Sequence, residues 1–344
     1  MPLPHSLPCS PYFYAIAYDD AGISDLSASR QLKRPLAVGA RGYADPERCS
    51  GTCFAHDPGL IQRSSDGVHF RFNTDTYIDI MKSDSLSGPW ETIGNVLPSG
   101  TVVNMTDVTA LWAPMIIEND GTYILYYSVS TPASQDSVIG YATSTTMESG
   151  TWVDHGSTGV ESTSDASYNA IDPTMILVDG TYFMSFGSYW DDIQQVTFNS
   201  NATTVTGDPY QTIYQPSGIH DVEASFPFQY GSYFYMFWSE GQANDYDVSL
   251  PTEGGEYKIR VCRSTAIGGP YADQNGTSCL EGGGNTVLES HGDVYGPGGQ
   301  GVLDDPTYGP ILYYRYVNTT IGYAVSDYQW GWNVIDWVDD WPTI

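Results

Sequence analysis

Three carboxylate residues, Asp57, Asp172 and Glu223, occupy corresponding places in a pattern that repeats along the chain. Hydrolysis of a glycosidic link needs a carboxylic acid to protonate the leaving oxygen and a carboxylate to activate water, because the sugar passes through an oxocarbenium-like state. A third carboxylate nearby raises the pKa of the acid by like-charge repulsion. A single Asp before Pro usually only starts a turn. Three carboxylates at equivalent repeat positions instead favour one catalytic pocket.

The repeat has five segments with a common plan: a Pro near the start, an alternating or apolar run, a Gly turn, and an aromatic-rich alternating run. The segments cover residues 56–72, 112–130, 171–190, 222–241 and 295–316. The same seven-residue spacing runs from Pro114 to Gly121, from Pro173 to Gly180 and from Ala224 to Gly231. Such regularity indicates that one structural unit is repeated.

Most of these hairpins are followed by an Ile-led strand, a Ser, a Gly and an aromatic residue, so each unit supplies about four strands. Successive units start 51 to 59 residues apart, except for a last interval of 73, in which residues 241–258 resemble an inserted loop. Repeats of roughly 40 to 60 residues with four strands are typical of propeller blades, because one small sheet cannot bury both faces alone.

The sequence therefore predicts an all-β fold, a five-bladed β-propeller with four-stranded blades around a central channel. Residues 43–344 would form the propeller, and residues 1–42, which lack the repeat, a loosely attached N-terminal extension. In a propeller the first strands line the channel and begin at one mouth of it. The three carboxylates would meet there, although 115 residues separate Asp57 from Asp172.

The composition narrows the choice of partners. Lys and Arg number 12 against 41 Asp and Glu, and the resulting net charge of -29 would repel phosphate backbones and anionic lipid head groups. No apolar run approaches the roughly 20 residues that span a bilayer. These features exclude nucleic acid and membrane as expected partners and are compatible with an uncharged sugar substrate.

Export is inferred from modification signals. The start of the sequence lacks the basic and apolar regions of a secretory signal, so no leader supports this inference. Asn-X-Ser/Thr sequons occur at Asn104, Asn201, Asn275 and Asn318. The five cysteines lack the spacing of a zinc site and favour disulfides; we expect pairs Cys49–Cys53 and Cys262–Cys279, with Cys9 left over.

The sequence resembles glycoside hydrolase family 43, and within it the fungal endo-1,5-α-L-arabinanases, over about residues 43–344. The motifs are AHDP (55–58), LWAP (111–114), YYSVST (126–131), YNAIDP (168–173), FGSYW (186–190), VEASF (222–226) and YGPGGQGV (295–302). The resemblance implies an inverting mechanism with Asp57 as general base, Glu223 as general acid and Asp172 tuning the pKa and orientation of Glu223. Inverting enzymes hold acid and base roughly 6.5 to 9.5 Å apart.

The same resemblance implies substrate contacts. Trp112 would stack on an arabinose ring, and Asn169 and Ser188 would hydrogen-bond sugar hydroxyls. Two alternatives stay open: Trp112 packs only beneath the channel wall, and Ser188 only caps a strand. Tyr189 and Trp190 are either platforms for sugar rings or blade packing.

Three departures from the family pattern concern the surroundings of the carboxylates. Met115 stands where many relatives have an acidic residue after LWAP, and Gly298-Gly299-Gln300 stands where bacterial relatives have a His that helps to hold calcium in the channel. We expect no cofactor for the chemistry and do not assume a channel calcium. Arg315 stands where relatives often have His; either its guanidinium supplies the positive charge that a channel cation would give, or it points outward.

The favoured function is that of a secreted, monomeric glycoside hydrolase that cleaves internal α-1,5-L-arabinofuranosidic links of linear arabinan. One alternative is an exo-acting α-L-arabinofuranosidase or β-xylosidase, which would use the same carboxylates behind a groove blocked at one end. Another is a sugar-binding propeller without catalysis. The intact set of three acids disfavours this last reading.

Overall fold

The repeats fold into antiparallel sheets, since alternating apolar residues with Gly turns between them form hairpins. The computed structural model describes residues 42–105 and 109–344, and in these residues the regular structure is β-strand apart from one 3-10 helix, Val325–Asp327. The strands are β1 (Gly59–Gln62), β2 (His69–Asn73), β3 (Asp75–Thr76), β4 (Asp79–Ser83), β5 (Glu91–Asn95), β6 (Ala110–Asn119), β7 (Thr122–Ser130), β8 (Ser137–Ser144), β9 (Val153–Ser162), β10 (Thr174–Val178), β11 (Thr181–Phe186), β12 (Ile193–Phe198), β13 (Tyr210–Ile213), β14 (Val222–Tyr230), β15 (Tyr233–Glu240), β16 (Lys258–Ser264), β17 (Asn285–Leu288), β18 (Val294–Asp305), β19 (Gly309–Asn318), β20 (Tyr328–Val334), β21 (Asp336–Val338) and β22 (Trp341–Thr343).

Five of the sheets are the blades. Blades one, three and four have the predicted four strands, in the orders β1-β2-β4-β5, β10-β11-β12-β13 and β14-β15-β16-β17. Blade two adds the short β3 to its inner edge, in the order β3-β6-β7-β8-β9, and blade five contains β18-β19-β20. The prediction of a five-bladed propeller is confirmed.

The ring closes through the segment that precedes blade one. Residues 53–55 run antiparallel to β20: the Trp330 amide donates to the Cys53 carbonyl at 2.7 Å, and Phe54 pairs with Gln329. This segment completes blade five as its fourth strand. Pairing the first part of the propeller with the last blade ties the ring shut.

Arg71 of β2 fastens this closing segment. Its Nη2 donates to the carbonyls of Thr52 at 2.8 Å and Phe54 at 3.0 Å, and its guanidinium lies 4.6 and 4.7 Å from the ring centroids of Trp90 and Trp330. A buried cation between two indole faces gains cation-π attraction in a medium where water does not compete. The closure therefore combines strand pairing with a desolvated aromatic clamp.

Both predicted disulfides are confirmed. Cys49–Cys53 lies in the closing segment, and Cys262–Cys279 joins β16 to the loop before β17. Tyr43–Ile344 forms a compact unit of its own. The predicted N-terminal extension, residues 1–42, lies outside the described part except for Gly42, as does Cys9, so the extension stays a prediction. No helix of the described residues is long and apolar enough to cross a membrane.

Candidate active site

In each blade one residue takes a left-handed backbone conformation, either within the first strand or just before it. These residues are Asp57, Ala113, Asp172, Ala224 and Gly299, with φ of 42°, 46°, 57°, 51° and 57°. In blades two, four and five each lies at a shift in strand register, as in a β-bulge. Left-handed non-glycine residues are uncommon and concentrate at functional sites. A bulge bends its strand and changes the direction of the side chains beside it.

The amides of these bulged residues are bound by the neighbouring blade. The Ala113 amide donates to Thr74 Oγ1 at 2.8 Å, and the Asp172 amide donates to Ser128 Oγ at 3.0 Å. The residue that would play this part in blade three is Gly187, opposite Ile171, and it has no side chain. The Asp172 carboxylate takes its place and accepts the Ala224 amide on Oδ2 at 3.0 Å. Asp172 is therefore part of the frame that joins two blades.

Glu223 does not occupy the bulged position, which corrects the alignment of the repeat. It lies one residue before Ala224 and corresponds to Trp112 of blade two, directly before Ala113. The spacing misled because Gly121 is the second residue of its turn, whereas Gly231 is the first. The carboxylate of Glu223 consequently starts from a different backbone site than those of Asp57 and Asp172.

Two hydroxyl groups hold the Glu223 carboxylate. Ser188 Oγ donates to Oε2 at 2.8 Å, and the Tyr257 hydroxyl donates to Oε1 at 2.9 Å. Burial raises the pKa of Glu223 above its ordinary value; the Ser188 and Tyr257 hydrogen bonds oppose the rise, and the Asp57 charge adds to it. A carboxyl with a raised pKa keeps its proton closer to neutral pH, as a general acid must.

Asp172 is surrounded by like charge. Burial raises its pKa well above the ordinary value, and the carboxylates of Glu223 and Asp57 raise it further, against the hydrogen bond from Ala224. Interaction of this kind shows that the three carboxylates share one electrostatic environment. Two buried carboxyls that repel each other retain a proton between them to a higher pH than isolated groups.

Asp57 is partly exposed to solvent, with 28% of its side chain accessible. Its Oδ2 accepts a hydrogen bond from Thr74 Oγ1 at 3.1 Å and lies 3.5 Å from His56 Nε2. Burial lowers the pKa of His56, although the Asp57 charge opposes this. A Cβ atom at Gly299 would lie only 2.7 Å from Asp57 Oδ1. The Asp57 carboxylate thus packs against Gly299, accepts a hydrogen bond from the Thr74 hydroxyl and stays partly exposed to solvent.

Arg315 points inward, which excludes the outward alternative. Its side chain is 1% exposed, its guanidinium lies 4.7 Å from the Tyr257 ring centroid and 4.3 Å from that of Tyr328, and its Nη2 donates to the Ala243 carbonyl. Its charge lowers the pKa of Glu223. A fixed positive charge beside three carboxylates offsets part of their mutual repulsion.

These surroundings do not fit the channel calcium of bacterial relatives. Calcium takes six to eight oxygen ligands, which come from carboxylates, carbonyls and waters. In the part of the chain that the structure describes, no three His, Cys, Asp or Glu residues are grouped to hold a metal ion. The side chain of Gln300 is engaged, because its Nε2 donates to the Ala224 carbonyl at 2.7 Å and its Oε1 accepts from Ser239 Oγ at 2.5 Å. A buried guanidinium, Arg315, lies close by.

The predicted substrate-binding residues have different surroundings. Trp112 is half-buried at the position in blade two that Glu223 occupies in blade four. Asn169 is buried and its Oδ1 accepts a hydrogen bond from Ser137 Oγ at 2.6 Å. Ser188 is buried, and its hydroxyl contacts Glu223. The structure thus brings Ser188 to the Glu223 carboxylate, places Trp112 at the equivalent strand position of blade two, and places Asn169 two residues before Ile171, ahead of the first strand of blade three.

Tyr189 and Trp190, which directly follow Ser188 in the chain, are 37% and 38% exposed. Both have left-handed backbones, with φ of 57° and 52°, and the Tyr189 amide donates to the Val222 carbonyl. Blade packing would bury such rings. Their exposure favours the platform alternative.

Several residues of the site had no signal in the repeat. Nothing in the repeat distinguishes Thr74 and Ser128 from other strand residues. Tyr257 lies in the segment that the repeat identifies as an insertion. The only sequence signal for this segment was the interval of 73 residues, which is longer than the other intervals between units.

A five-bladed propeller with three interacting carboxylates at one mouth of its channel is the architecture of a carboxylate-dependent glycoside hydrolase. The family model described as Glycosyl hydrolases family 43 matches residues 51–342. The arabinan endo-1,5-α-L-arabinosidase A of Aspergillus niger is 54% identical over 309 residues, which are 90% of this chain and 96% of that protein.

Solved structures of other arabinanases have a similar fold. An endo-arabinanase of Bacillus licheniformis superposes with a TM-score of 0.74 at 30% identity, and an exo-1,5-α-L-arabinanase from a bovine ruminal metagenomic library with 0.73 at 27%. Each comparison covers 86% of this chain and 99% of the other. This chain belongs to glycoside hydrolase family 43, and the predicted family is confirmed.

Proposed function

We propose that this chain is an endo-acting arabinanase that cleaves internal α-1,5-L-arabinofuranosidic links of linear arabinan with inversion of configuration. The observation that carries the proposal is the group of three interacting carboxylates, of which only Glu223 is held by two hydroxyl groups. Support for the substrate comes from the Aspergillus niger enzyme, which is named for this activity and aligns over 96% of its length.

Asp57 is the proposed general base. Its open side admits a water molecule, and its ionised carboxylate accepts the proton of that water as the oxygen attacks the anomeric carbon. The Thr74 hydroxyl holds Oδ2, and the absence of a side chain at Gly299 leaves room for Oδ1. The carboxylate is therefore held in one orientation before substrate binds.

Glu223 is the proposed general acid, which protonates the leaving oxygen. Serine and tyrosine hydroxyls can rotate, so their oxygens can donate to an ionised carboxylate or accept from a protonated one. The partner of Asp172 is a backbone N–H, which can only donate and therefore favours ionised Asp172. Of these two carboxyl groups, Glu223 therefore has the hydrogen-bond partners that better accommodate a protonated carboxyl. Asp172 then raises the pKa of Glu223 by its charge and fixes the adjacent Ala224 amide.

Aromatic residues at the mouth are the proposed sugar platforms. Trp112 would stack on one arabinose ring, and exposed Tyr189 and Trp190 on others. Asn169 would donate from its amide nitrogen to a sugar hydroxyl, since its Oδ1 is already engaged by Ser137. We revise the role of Ser188: its hydroxyl serves Glu223 and so acts on the acid.

The proposal includes export and a monomeric state without a cofactor for the chemistry. Two disulfides fit an oxidising compartment. Of the four sequon residues, Asn104, Asn201 and Asn275 are exposed, as glycan acceptors must be, and Asn318 is half-buried. Exo-acting hydrolysis is the second candidate, because a structural neighbour with nearly the same superposition score is named an exo-1,5-α-L-arabinanase.

Linear debranched arabinan distinguishes these functions. Endo action lowers the viscosity of the polymer rapidly and releases short oligosaccharides, whereas exo action releases small products while viscosity changes slowly. Xylan and an aryl arabinofuranoside serve as comparison substrates. Retained binding to arabinan with no turnover would support the non-catalytic alternative and refute the proposal.

Glu223→Gln tests the acid. This substitution keeps the shape of the side chain and removes the ionisable proton, so polymer cleavage should fall by roughly 10²-fold or more while arabinan binding persists. Glu118→Gln, on the exposed end of β6, is the matched control and should behave as wild type. Full activity of the Glu223→Gln variant would overturn the assignment.

A further inference from the structure

We propose that Tyr257 is a positioning residue for the acid: its hydroxyl donates to Glu223 Oε1 and thereby keeps the acidic proton on Oε2. The geometry is a 2.9 Å hydrogen bond from a fully buried phenol to Oε1, whereas Ser188 contacts the other carboxylate oxygen, Oε2. This inference rests on the proposed function, because it presupposes that Glu223 is the acid.

Tyr257 cannot readily turn away from this contact. Its backbone amide donates to the Gln242 carbonyl at 3.1 Å. On one side its ring packs against the backbone of Gly298 so closely that a Cβ atom there would overlap the ring. The Arg315 guanidinium covers the ring at 4.7 Å from its centroid. Packing of this kind fixes the rotamer and so directs the hydroxyl at Oε1.

The insertion that contains Tyr257, residues 241–258, is itself fastened to blade five. Both Arg315 Nη2 and the Tyr328 hydroxyl donate to the carbonyl of Ala243, the latter at 3.0 Å. Within the insertion, the Tyr246 hydroxyl donates to the Gln242 carbonyl. The extra length in blade four is thus anchored beneath the carboxylates and delivers one hydroxyl to the acid.

The hydrogen bond determines where the acid can carry its proton. An oxygen that accepts from a phenol serves best as the carbonyl-type oxygen of a protonated carboxyl, so the proton resides on the other oxygen. Burial and the Glu223 charge raise the pKa of Tyr257 well above its ordinary value, so the phenol remains a donor at every working pH. Oε2, beside the rotatable Ser188 hydroxyl, is then the oxygen that faces the leaving group.

The contact also sets the pH at which the acid loses its proton. A donor to a carboxylate stabilises the ionised form, so the Tyr257 hydrogen bond lowers the pKa of Glu223. The other charged groups that face Glu223 are Asp57, Asp172 and Arg315. A substitution at Tyr257 that keeps the ring leaves these three in place.

Tyr257→Phe is the test, because it removes the hydroxyl and keeps the ring. The basic limb of the pH profile of kcat/KM reports loss of the acid's proton and should move to higher pH by about one unit, since a hydrogen bond to a charged group favours ionisation by roughly that much. At the wild-type optimum kcat should fall about tenfold with little change in KM, as expected when orientation of the acid is lost.

Tyr246→Phe is the matched control. It removes a buried hydroxyl that donates to the Gln242 carbonyl and accepts from the Tyr257 amide at 3.3 Å, and so loosens the anchoring of the insertion. It leaves the Tyr257 hydroxyl and its hydrogen bond to Glu223 in place, so its basic limb should coincide with that of wild type. If Tyr257→Phe does not fold, as judged by circular dichroism, Tyr257→Met replaces it, since it also lacks the hydroxyl and fills similar space.

The outcomes separate this inference from the proposed function. The positioning role alone would be overturned by an unshifted basic limb in the folded Tyr257 variant, if wild type is active and Glu223→Gln is inactive. A wild-type protein that does not hydrolyse arabinan would overturn the proposed function instead. A shift of equal size in Tyr246→Phe would assign the effect to general loosening of the insertion and would contradict the inference.

Discussion

A substitution at Gly299 tests the role of Asp57 as general base, because Gly299 packs against the Asp57 carboxylate. Substitution by Ala places a Cβ atom 2.7 Å from Asp57 Oδ1 and 3.3 Å from Asp57 Cα. Ordinary van der Waals contact begins at 3.4 Å, so the carboxylate must move by about 0.7 Å. A displacement approaching 1 Å of a catalytic group costs up to about 10²-fold in rate. We expect kcat of Gly299→Ala to fall by between tenfold and a hundredfold.

The backbone contributes a separate cost, which a second variant isolates. Gly299 has φ of +57°, and an L-residue in this conformation costs roughly 1 to 2 kcal/mol. Gly231, in the β14–β15 turn, has φ of +59° and nothing within 4 Å of its would-be Cβ atom. Gly231→Ala should therefore lose similar stability and keep its activity.

The assay combines initial rates on linear arabinan with urea denaturation of both variants. We expect the free energy of unfolding to fall by a similar amount in both variants and kcat to differ greatly between them. Activity of Gly299→Ala within threefold of Gly231→Ala would refute the view that Gly299 provides the space for Asp57. Equal inactivation of the two variants would likewise assign the effect to the backbone.

Two further predictions concern stability. Since the pKa of Asp172 is raised on folding, wild type loses stability as pH rises from about 4 through the raised pKa. Asp172→Asn should therefore be inactive, more stable than wild type at pH 7, and no more stable than wild type near pH 3. Urea denaturation at the two pH values measures this, and equal differences at both would contradict it. Replacing Cys262 and Cys279, which are 17 residues apart, by Ser should lower the free energy of unfolding by roughly 3 kcal/mol. Replacing Cys49 and Cys53, which are 4 residues apart, should lower it by roughly 2 kcal/mol. Denaturation of both double variants tests the order, and a larger loss for the shorter loop would contradict the chain-entropy explanation.

Much of the fold could be predicted because a propeller writes its architecture into the sequence several times. Each blade needs the same hairpins, so the Gly turns and aromatic runs recur with a readable period. The closure of blade five could not be read in this way. The segment 53–55 pairs with β20 from almost 280 residues away, and one short strand without a repeated partner has no periodic signal.

The catalytic candidates could be named from the sequence, but their geometry could not. Glu223 lies one residue from the bulged position, because a turn can place its glycine first or second without changing the spacing. Ser188 was expected to contact sugar and instead contacts Glu223, and Tyr257 reaches the acid from an insertion. Such contacts depend on how blades pack side by side, which the sequence of one blade does not contain.

The most direct test of the central claim is the configuration of the first product. The claim is that Asp57 activates water on the face opposite to the leaving oxygen that Glu223 protonates, which inverts the anomeric carbon in a single displacement. Proton NMR of linear arabinan, recorded within the first minutes of hydrolysis, should show new reducing ends in the β configuration, followed by slow mutarotation. Initial appearance of the α anomer would show retention and would contradict the assigned roles of both carboxylates.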